Sequence, residues 1–92
     1  MAYTVYILYS RKLKNVYVGC TSNITKRLER HKNGEVPATK YRRPLELIHT
    51  ETIENKADAF NRERFLKSLW GAREKKKILH AYLTYNKEGN EV

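Results

Sequence analysis

The chain has one cysteine, Cys20, and one aspartate, Asp58, in 92 residues, and each scarcity excludes a class of chemistry. A lone cysteine forms no disulfide within the chain and builds no cysteine-rich zinc cluster, and the cytoplasm is the compartment that fits it. A lone aspartate, placed where a helix is expected to begin, leaves no carboxylate cluster to hold two metal ions. No Ser-His-Asp or Cys-His arrangement suggests acyl transfer. Long apolar runs are also missing. The start, MAYTVYILYSRKLK, has a short apolar stretch followed by charge, so neither export nor a membrane span is expected. Internal repeats, linkers, lipidation signals and a basic amphipathic helix with a large apolar face are absent too.

What is abundant is positive charge. Nineteen Lys and Arg against ten acids give a net charge of +9, enough to draw a polyanion by steering and counterion release. Nucleic acid is therefore the leading partner class. A basic surface kept only for solubility is the alternative.

Ninety-two residues make one domain, because so short a chain cannot close two separate cores. Residues 3–9, YTVYILY, and 15–20, NVYVGC, are rich in β-branched and aromatic types and flank the polar connection SRKLK. They read as an antiparallel hairpin with a five-residue loop. Alternation places Tyr3, Val5, Ile7 and Tyr9 on one face of the first strand and Thr4, Tyr6 and Leu8 on the other. Whether Tyr6 and Tyr17 share a face depends on register, which the pattern leaves open.

Thr21, Ser22 and Asn23 offer capping side chains for a first helix that runs to Lys32 and stops at Asn33-Gly34. The segment GEVPATKYRRP, with two prolines, is a loop or an interrupted strand, and LELIHTETI resumes strand composition through residue 53. Asn55 with Asp58 resembles a capping box for a second helix that continues through Trp70 to a break at Gly71. A short third helix follows in REKKKILHAYL, packing through Ile78, Leu79 and Tyr82. The expected fold class is α+β, a small three-stranded, largely antiparallel sheet flanked by helices. The domain should occupy residues 1–82, with a polar, flexible tail at 83–92.

Two helices carry charge on the side that should be apolar. In the first, Ile24 and Leu28 set the inward direction, and Arg27 and His31 fall on that side. They are either a snorkelling arginine with a hydrogen-bonded core histidine, or a pair that contacts phosphate. In the second, Ala59, Leu66 and Trp70 form an inward stripe, and Glu63 occupies the missing turn. An ionised carboxylate there must be paired, with Arg27 or Lys67, or protonated, or bound to a metal. Gly19 is the third anomaly, since glycine weakens a strand interior and is favoured where another group must approach closely. Lys40, Arg42 and Arg43 in the loop are candidate phosphate contacts, or simply a solvated basic loop.

Thr4-Val5-Tyr6, ten intervening residues, Tyr17-Val18-Gly19, then Arg27 and His31 on one helix and Glu63 on a later one, resemble the GIY-YIG nuclease domain. The similarity spans residues 3 to about 80 and is nearest to the small stand-alone bacterial members. Thr4 stands in place of the first glycine of the motif and valines in place of both isoleucines. No asparagine follows Glu63 at the position some members use, although Lys67 lies nearby.

The resemblance implies a divalent-metal-dependent endonuclease acting on DNA rather than RNA, in repair or recombination, as a monomer. It implies that Glu63 ligates one Mg²⁺ or Mn²⁺, that Tyr17 or Tyr6 helps activate water, and that Arg27 holds the scissile phosphate. Arg27, His31 or the metal would supply the positive charge a tyrosine base needs. Lys67 would join Lys40, Arg42 and Arg43 in binding nucleic acid, and Gly19 would serve the site structurally. The alternative is a nucleic-acid-binding module that keeps the fold without useful catalysis. A protein-binding domain is the third possibility.

Overall fold

The computed structural model describes residues 2–90, with side chains through residue 85. The chain runs β1 (Tyr3–Ser10), β2 (Asn15–Thr21), α1 (Ile24–Lys32), β3 (Leu45–Ile53), α2 (Lys56–Lys67) and α3 (Ala72–Asn90). Short 3₁₀ turns occupy Lys40–Arg42 and Leu69–Gly71. The three strands form one antiparallel sheet in the order β2-β1-β3, as the composition predicts. The central position of β1 explains its density of large apolar residues: Val5 through Ser10 are all buried.

Alternation in β1 divides the molecule into two layers. Val5 and Ile7 pack with Val18 of β2 and with Ala59 and Leu66 of α2, and Tyr3, Cys20, Ile48 and Ile78 close around them. This is the main core, and Cys20 is a packing residue within it. Tyr6 and Leu8 point to the opposite face, toward α1 and the loop after it. In β3 the register with β1 shifts between Ile7 and Leu8, so that Ile48 is the extra residue of a bulge.

The helix boundaries follow from local chemistry. Asn23 accepts a hydrogen bond from the Lys26 N–H at 3.1 Å and opens α1. The chain leaves that helix through Gly34, whose φ of +77° suits a residue without Cβ. Asn55 accepts from the Asp58 N–H at 3.1 Å and opens α2.

The second helix ends earlier than its apolar spacing predicts. It stops at Lys67, and Ser68 takes an extended conformation, so Trp70 is turned outward instead of completing the stripe with Ala59 and Leu66. It is 84% exposed. Helix α3 is longer than expected. Its backbone continues to Asn90, through most of the segment assigned as a tail; residues 91 and 92 of that segment lie outside the described residues.

A charged network ties β3 to both later helices. Arg62 donates to the two oxygens of Glu51 at 2.8 and 2.9 Å and reaches Glu74 at 2.9 Å, while His49 Nε2 lies 2.8 Å from Glu51. The Arg62 hydrogen bonds, opposed by burial and assisted by His49, hold the Glu51 carboxyl at about 2, against an ordinary 4.5. Because the folded value lies below the unfolded one, the stabilisation is complete above pH 4.5 and is lost as the pH falls toward 2. After discounting for solvent screening it amounts to roughly 1–2 kcal/mol. Thermal melts at pH 7 and pH 3 should therefore differ less for Glu51→Gln than for the wild type. Equal acid sensitivity in the two proteins would refute this role for the network.

Candidate active site

The register settles which tyrosines meet. Tyr6 pairs with Gly19, and Leu8 with Tyr17; cross-strand partners point to the same face, so Tyr6 and Tyr17 lie side by side on the α1 side of the sheet. Their ring centroids are 6.5 Å apart. Gly19 is required by this packing. A Cβ built there would lie 2.3 Å from both Cζ and the hydroxyl oxygen of Tyr6, so the Tyr6 ring occupies the space that any other side chain would need.

His31 reaches the same face from the last turn of α1. Its ring meets both tyrosine rings edge-on, at 5.6 Å from Tyr6 and 5.4 Å from Tyr17. Nε2 is 2.8 Å from the Tyr6 hydroxyl, and Nδ1 is 2.7 Å from Oγ1 of Thr39. The Thr39 hydroxyl donates to the Val36 carbonyl at 3.5 Å. A carbonyl can only accept, so Thr39 accepts from Nδ1–H, and Nε2 is left to accept from the Tyr6 hydroxyl. Tyr6, His31 and Thr39 are all buried, and this chain fixes the Tyr6 oxygen from behind.

Burial, followed by the nearby Arg27 and Arg30 charges, pushes the His31 pKa down. The imidazole is thus neutral at pH 7. His31 is 1% exposed and both its nitrogens are engaged, which corrects two expectations: it neither contacts phosphate beside Arg27 nor supplies positive charge to a tyrosine. Of the two readings of that helix face, the hydrogen-bonded core histidine holds for His31. Arg27, half-buried one turn earlier, is the cation that faces Tyr6. The Tyr6 pKa is pushed up to about 12, chiefly by burial and next by Tyr17, with Arg27 opposing and Glu63 adding a smaller rise.

Glu63 is supplied by α2, and its charge acts on Tyr6. Its side chain is 18% exposed, and Oε2 lies 3.0 Å from the Lys67 ammonium. Lys67 in turn stands 5.7 Å from the Tyr17 ring centroid, which links the carboxylate to the tyrosine pair. Arg42 flanks the same ring at 5.9 Å and directs its guanidinium toward the Asn15 side chain and the Val16 carbonyl, both at 3.5 Å. The Tyr17 hydroxyl has no hydrogen-bond partner among the described residues.

The other predicted loop cations are placed differently. Arg43 donates to the carbonyls of Lys40 at 3.0 Å and Lys32 at 3.2 Å, bracing the end of α1, and Lys40 stands over the Tyr41 ring at 5.5 Å. Thr39 is the site residue that sequence reasoning missed; a threonine in an irregular loop carries no periodic signal. Thr39→Val keeps the shape and removes the acceptor for Nδ1–H, at a cost of about 1–3 kcal/mol. The ¹⁵N shifts of the His31 ring should then move away from the Nδ1–H tautomer, with recovery in Thr39→Ser. An unchanged tautomer in Thr39→Val would refute the assignment.

The donor set tests whether a metal suits this site. Among the described residues no group of three or more His, Cys, Asp or Glu side chains is placed to hold an ion, so there is no all-protein cage. Glu63 is the one carboxylate near the tyrosine oxygens. A single carboxylate fits a hydrated Mg²⁺ or Mn²⁺, which keeps several waters and completes its shell with substrate phosphate oxygens.

Comparison with known proteins gives the family. A UPF0213 protein of the archaeon Natronomonas pharaonis is 37% identical over 75 residues, covering 80% of this chain and 87% of that one. One from Syntrophus aciditrophicus is 40% identical over 67 residues, covering 71% and 76%. The solution NMR structure of a UPF0213 protein from Bacillus halodurans superimposes with a TM-score of 0.53 at 27% identity, covering 88% of this chain and 85% of that one. The model of the GIY-YIG catalytic domain matches residues 2–77. That span carries both tyrosines, Gly19, Arg27, His31 and Glu63, and the chain belongs to the GIY-YIG family of nuclease domains.

Proposed function

We propose that this protein is a divalent-metal-dependent endonuclease that hydrolyses phosphodiester bonds in DNA, in repair or recombination, and works as a cytoplasmic monomer. The observation that carries the reading is the convergence of Arg27 and Glu63, from two different helices, on a tyrosine pair held by a buried histidine.

In this reading the Arg27 guanidinium binds two oxygens of the scissile phosphate. Glu63 holds one Mg²⁺ or Mn²⁺, which when bound stabilises charge on a phosphate oxygen and on the leaving group. Tyr17, whose hydroxyl has no partner among the described residues and whose ring is flanked by Lys67 and Arg42, orients the attacking water and takes its proton while passing its own hydroxyl proton on to solvent. A new bond forms from the water oxygen to phosphorus as one P–O ester bond breaks, leaving a phosphomonoester and an alkoxide oxygen that takes a proton from solvent to give a hydroxyl end. Tyr6 is unsuited to be the base, since its hydroxyl donates to His31 and its proton is held to about pH 12. It serves to place its oxygen beside the phosphate. His31 and Thr39 act through Tyr6 as positioning residues. Arg42 and Lys67 border the site as backbone contacts, with Lys40 farther along the loop.

One observation favours a second reading. The Lys67 ammonium already neutralises Glu63, as a cation there would, so a module that binds nucleic acid without cutting it is the competing function. Incubating the protein with supercoiled plasmid, branched and single-stranded DNA, and RNA, in Mg²⁺ or Mn²⁺ and in chelator, separates the two. Metal-dependent cutting of DNA is expected. Salt-sensitive binding without cutting on every substrate would establish the second reading, and absence of binding would remove both.

A further inference from the structure

The corner between α2 and α3 presents two large apolar side chains to solvent. Leu69 is 93% exposed and its neighbour Trp70 84%. The backbone beneath them is held firmly. The hydroxyl and the N–H of Ser68 both donate to the Phe65 carbonyl, at 2.6 and 3.0 Å, and the Gly71 N–H donates to the Ser68 carbonyl at 3.1 Å. Gly71 is buried against the end of α2, where a Cβ would lie 2.3 Å from the Phe65 carbonyl oxygen. Leu69 and Trp70 therefore sit on a fixed corner.

Leu69 belongs to a cationic groove, and Trp70, outside the groove's lining, is the next residue in the chain. Leu69 lines the groove together with Lys14, Arg73, Lys75 and Lys76. The acid at the start of α3, Glu74, is turned to Arg62 on the other side of the helix at 2.9 Å, which leaves the groove face basic. Asn15 and Val16 also line the groove, and these are the residues toward which Arg42 points its guanidinium. Since Arg42 also stands beside Tyr17, the groove and the candidate active site meet at the start of β2.

From this we infer a second contact surface for nucleic acid, outside the catalytic constellation. A single-stranded segment leaving the scissile phosphate runs along Lys14, places its phosphates on Arg73, Lys75 and Lys76, and stacks an unpaired base on the Trp70 indole beside Leu69. A cationic groove with an adjoining aromatic side chain is the combination that binds single strands, because every base has a face to stack and every linkage a charge to neutralise. A single strand fits better than a duplex, whose base faces are already stacked. A second copy of this chain is disfavoured as occupant by its own charge of +9. The inference rests on the nucleic-acid reading of the site.

Trp70 is the only tryptophan, so the emission of the intact protein reports on this corner alone. Unlabelled single-stranded oligonucleotide and matched duplex are titrated in chelator while tryptophan emission is followed, and anisotropy of an end-labelled oligonucleotide gives affinity in parallel. Quenching should saturate along the anisotropy curve, with the single strand bound more tightly. Trp70→Ala should weaken single-strand binding about tenfold with an unchanged circular dichroism spectrum. The triple substitution Arg73→Ala, Lys75→Ala, Lys76→Ala should lower the salt slope by roughly 2. Binding by anisotropy with unmoved emission and full affinity in Trp70→Ala would overturn the inference and leave the nucleic-acid reading standing. No binding by the wild type would remove both. Concentration-dependent emission and a doubled mass without nucleic acid would overturn it in favour of self-association.

Discussion

Gly19→Ala is expected to destabilise the fold by roughly 2–4 kcal/mol and to disable the site at the same time. The added methyl would lie 2.3 Å from the end of the Tyr6 ring. That ring has no exposed side toward which to retreat: Tyr6 is fully buried, and its hydroxyl is held by His31 at 2.8 Å. Relief requires β2 to move off β1 or the Tyr6–His31 bond to break. Overpacking of a filled core costs about 1–3 kcal/mol, and a lost buried hydrogen bond adds about 1. For a domain of this size the melting temperature should fall by on the order of 10–30 °C. In a Tyr6→Leu background, where the ring end is gone, the same glycine substitution should cost much less. A melting temperature that moves by only a degree or two, or an equal cost in both backgrounds, would show that Gly19 is not the seat of the tyrosine.

This contact also marks what could be read from the sequence and what could not. The strands were legible because β-branched and aromatic residues crowd into three short runs, and the ends of α1 and α2 because Asn23, Asn33-Gly34 and Asn55 are strong local signals. Gly19 was visibly out of place in a strand, although what approaches it is set by register, which the alternation in two short strands leaves undetermined. The inward charges at residues 27, 31 and 63 followed from helical period alone.

Periodicity failed at Trp70 for a physical reason. Spacing of four extends a stripe only while the helix continues, and the extended backbone of Ser68 breaks the progression two residues before the tryptophan. It failed differently at His31. The period put the imidazole inside, but its role depends on Thr39, which arrives from the irregular segment between α1 and β3 with no pattern to announce it. Arg43 shows the converse: a basic residue in a basic loop looked available for phosphate, yet its guanidinium is spent on the carbonyls of Lys32 and Lys40.

The largest effect on activity is expected at Glu63. It is the one carboxylate near the tyrosine pair among the described residues, so Glu63→Gln would remove the proposed anionic ligand while keeping the shape. A metal contributes several kcal/mol of transition-state stabilisation in phosphoryl chemistry, and each 1.4 kcal/mol is tenfold in rate, so the loss should be on the order of 10³-fold. Folding should scarcely notice. The partner lost is Lys67, whose side chain is 49% exposed, and a pair of that kind contributes about 0–1 kcal/mol. Loss of activity and loss of structure are therefore separable in this variant, as they are not in Gly19→Ala.

The decisive measurement is the rate of DNA cleavage by the wild type and by Glu63→Gln, side by side on one substrate in Mn²⁺ and in Mg²⁺, with the melting temperature of each protein recorded. Cutting by the wild type that depends on the metal, with a loss on the order of 10³-fold in a variant that melts as the wild type does, is the predicted result. Equal rates in the two proteins would contradict the assignment of Glu63 and, with it, the metal-dependent site.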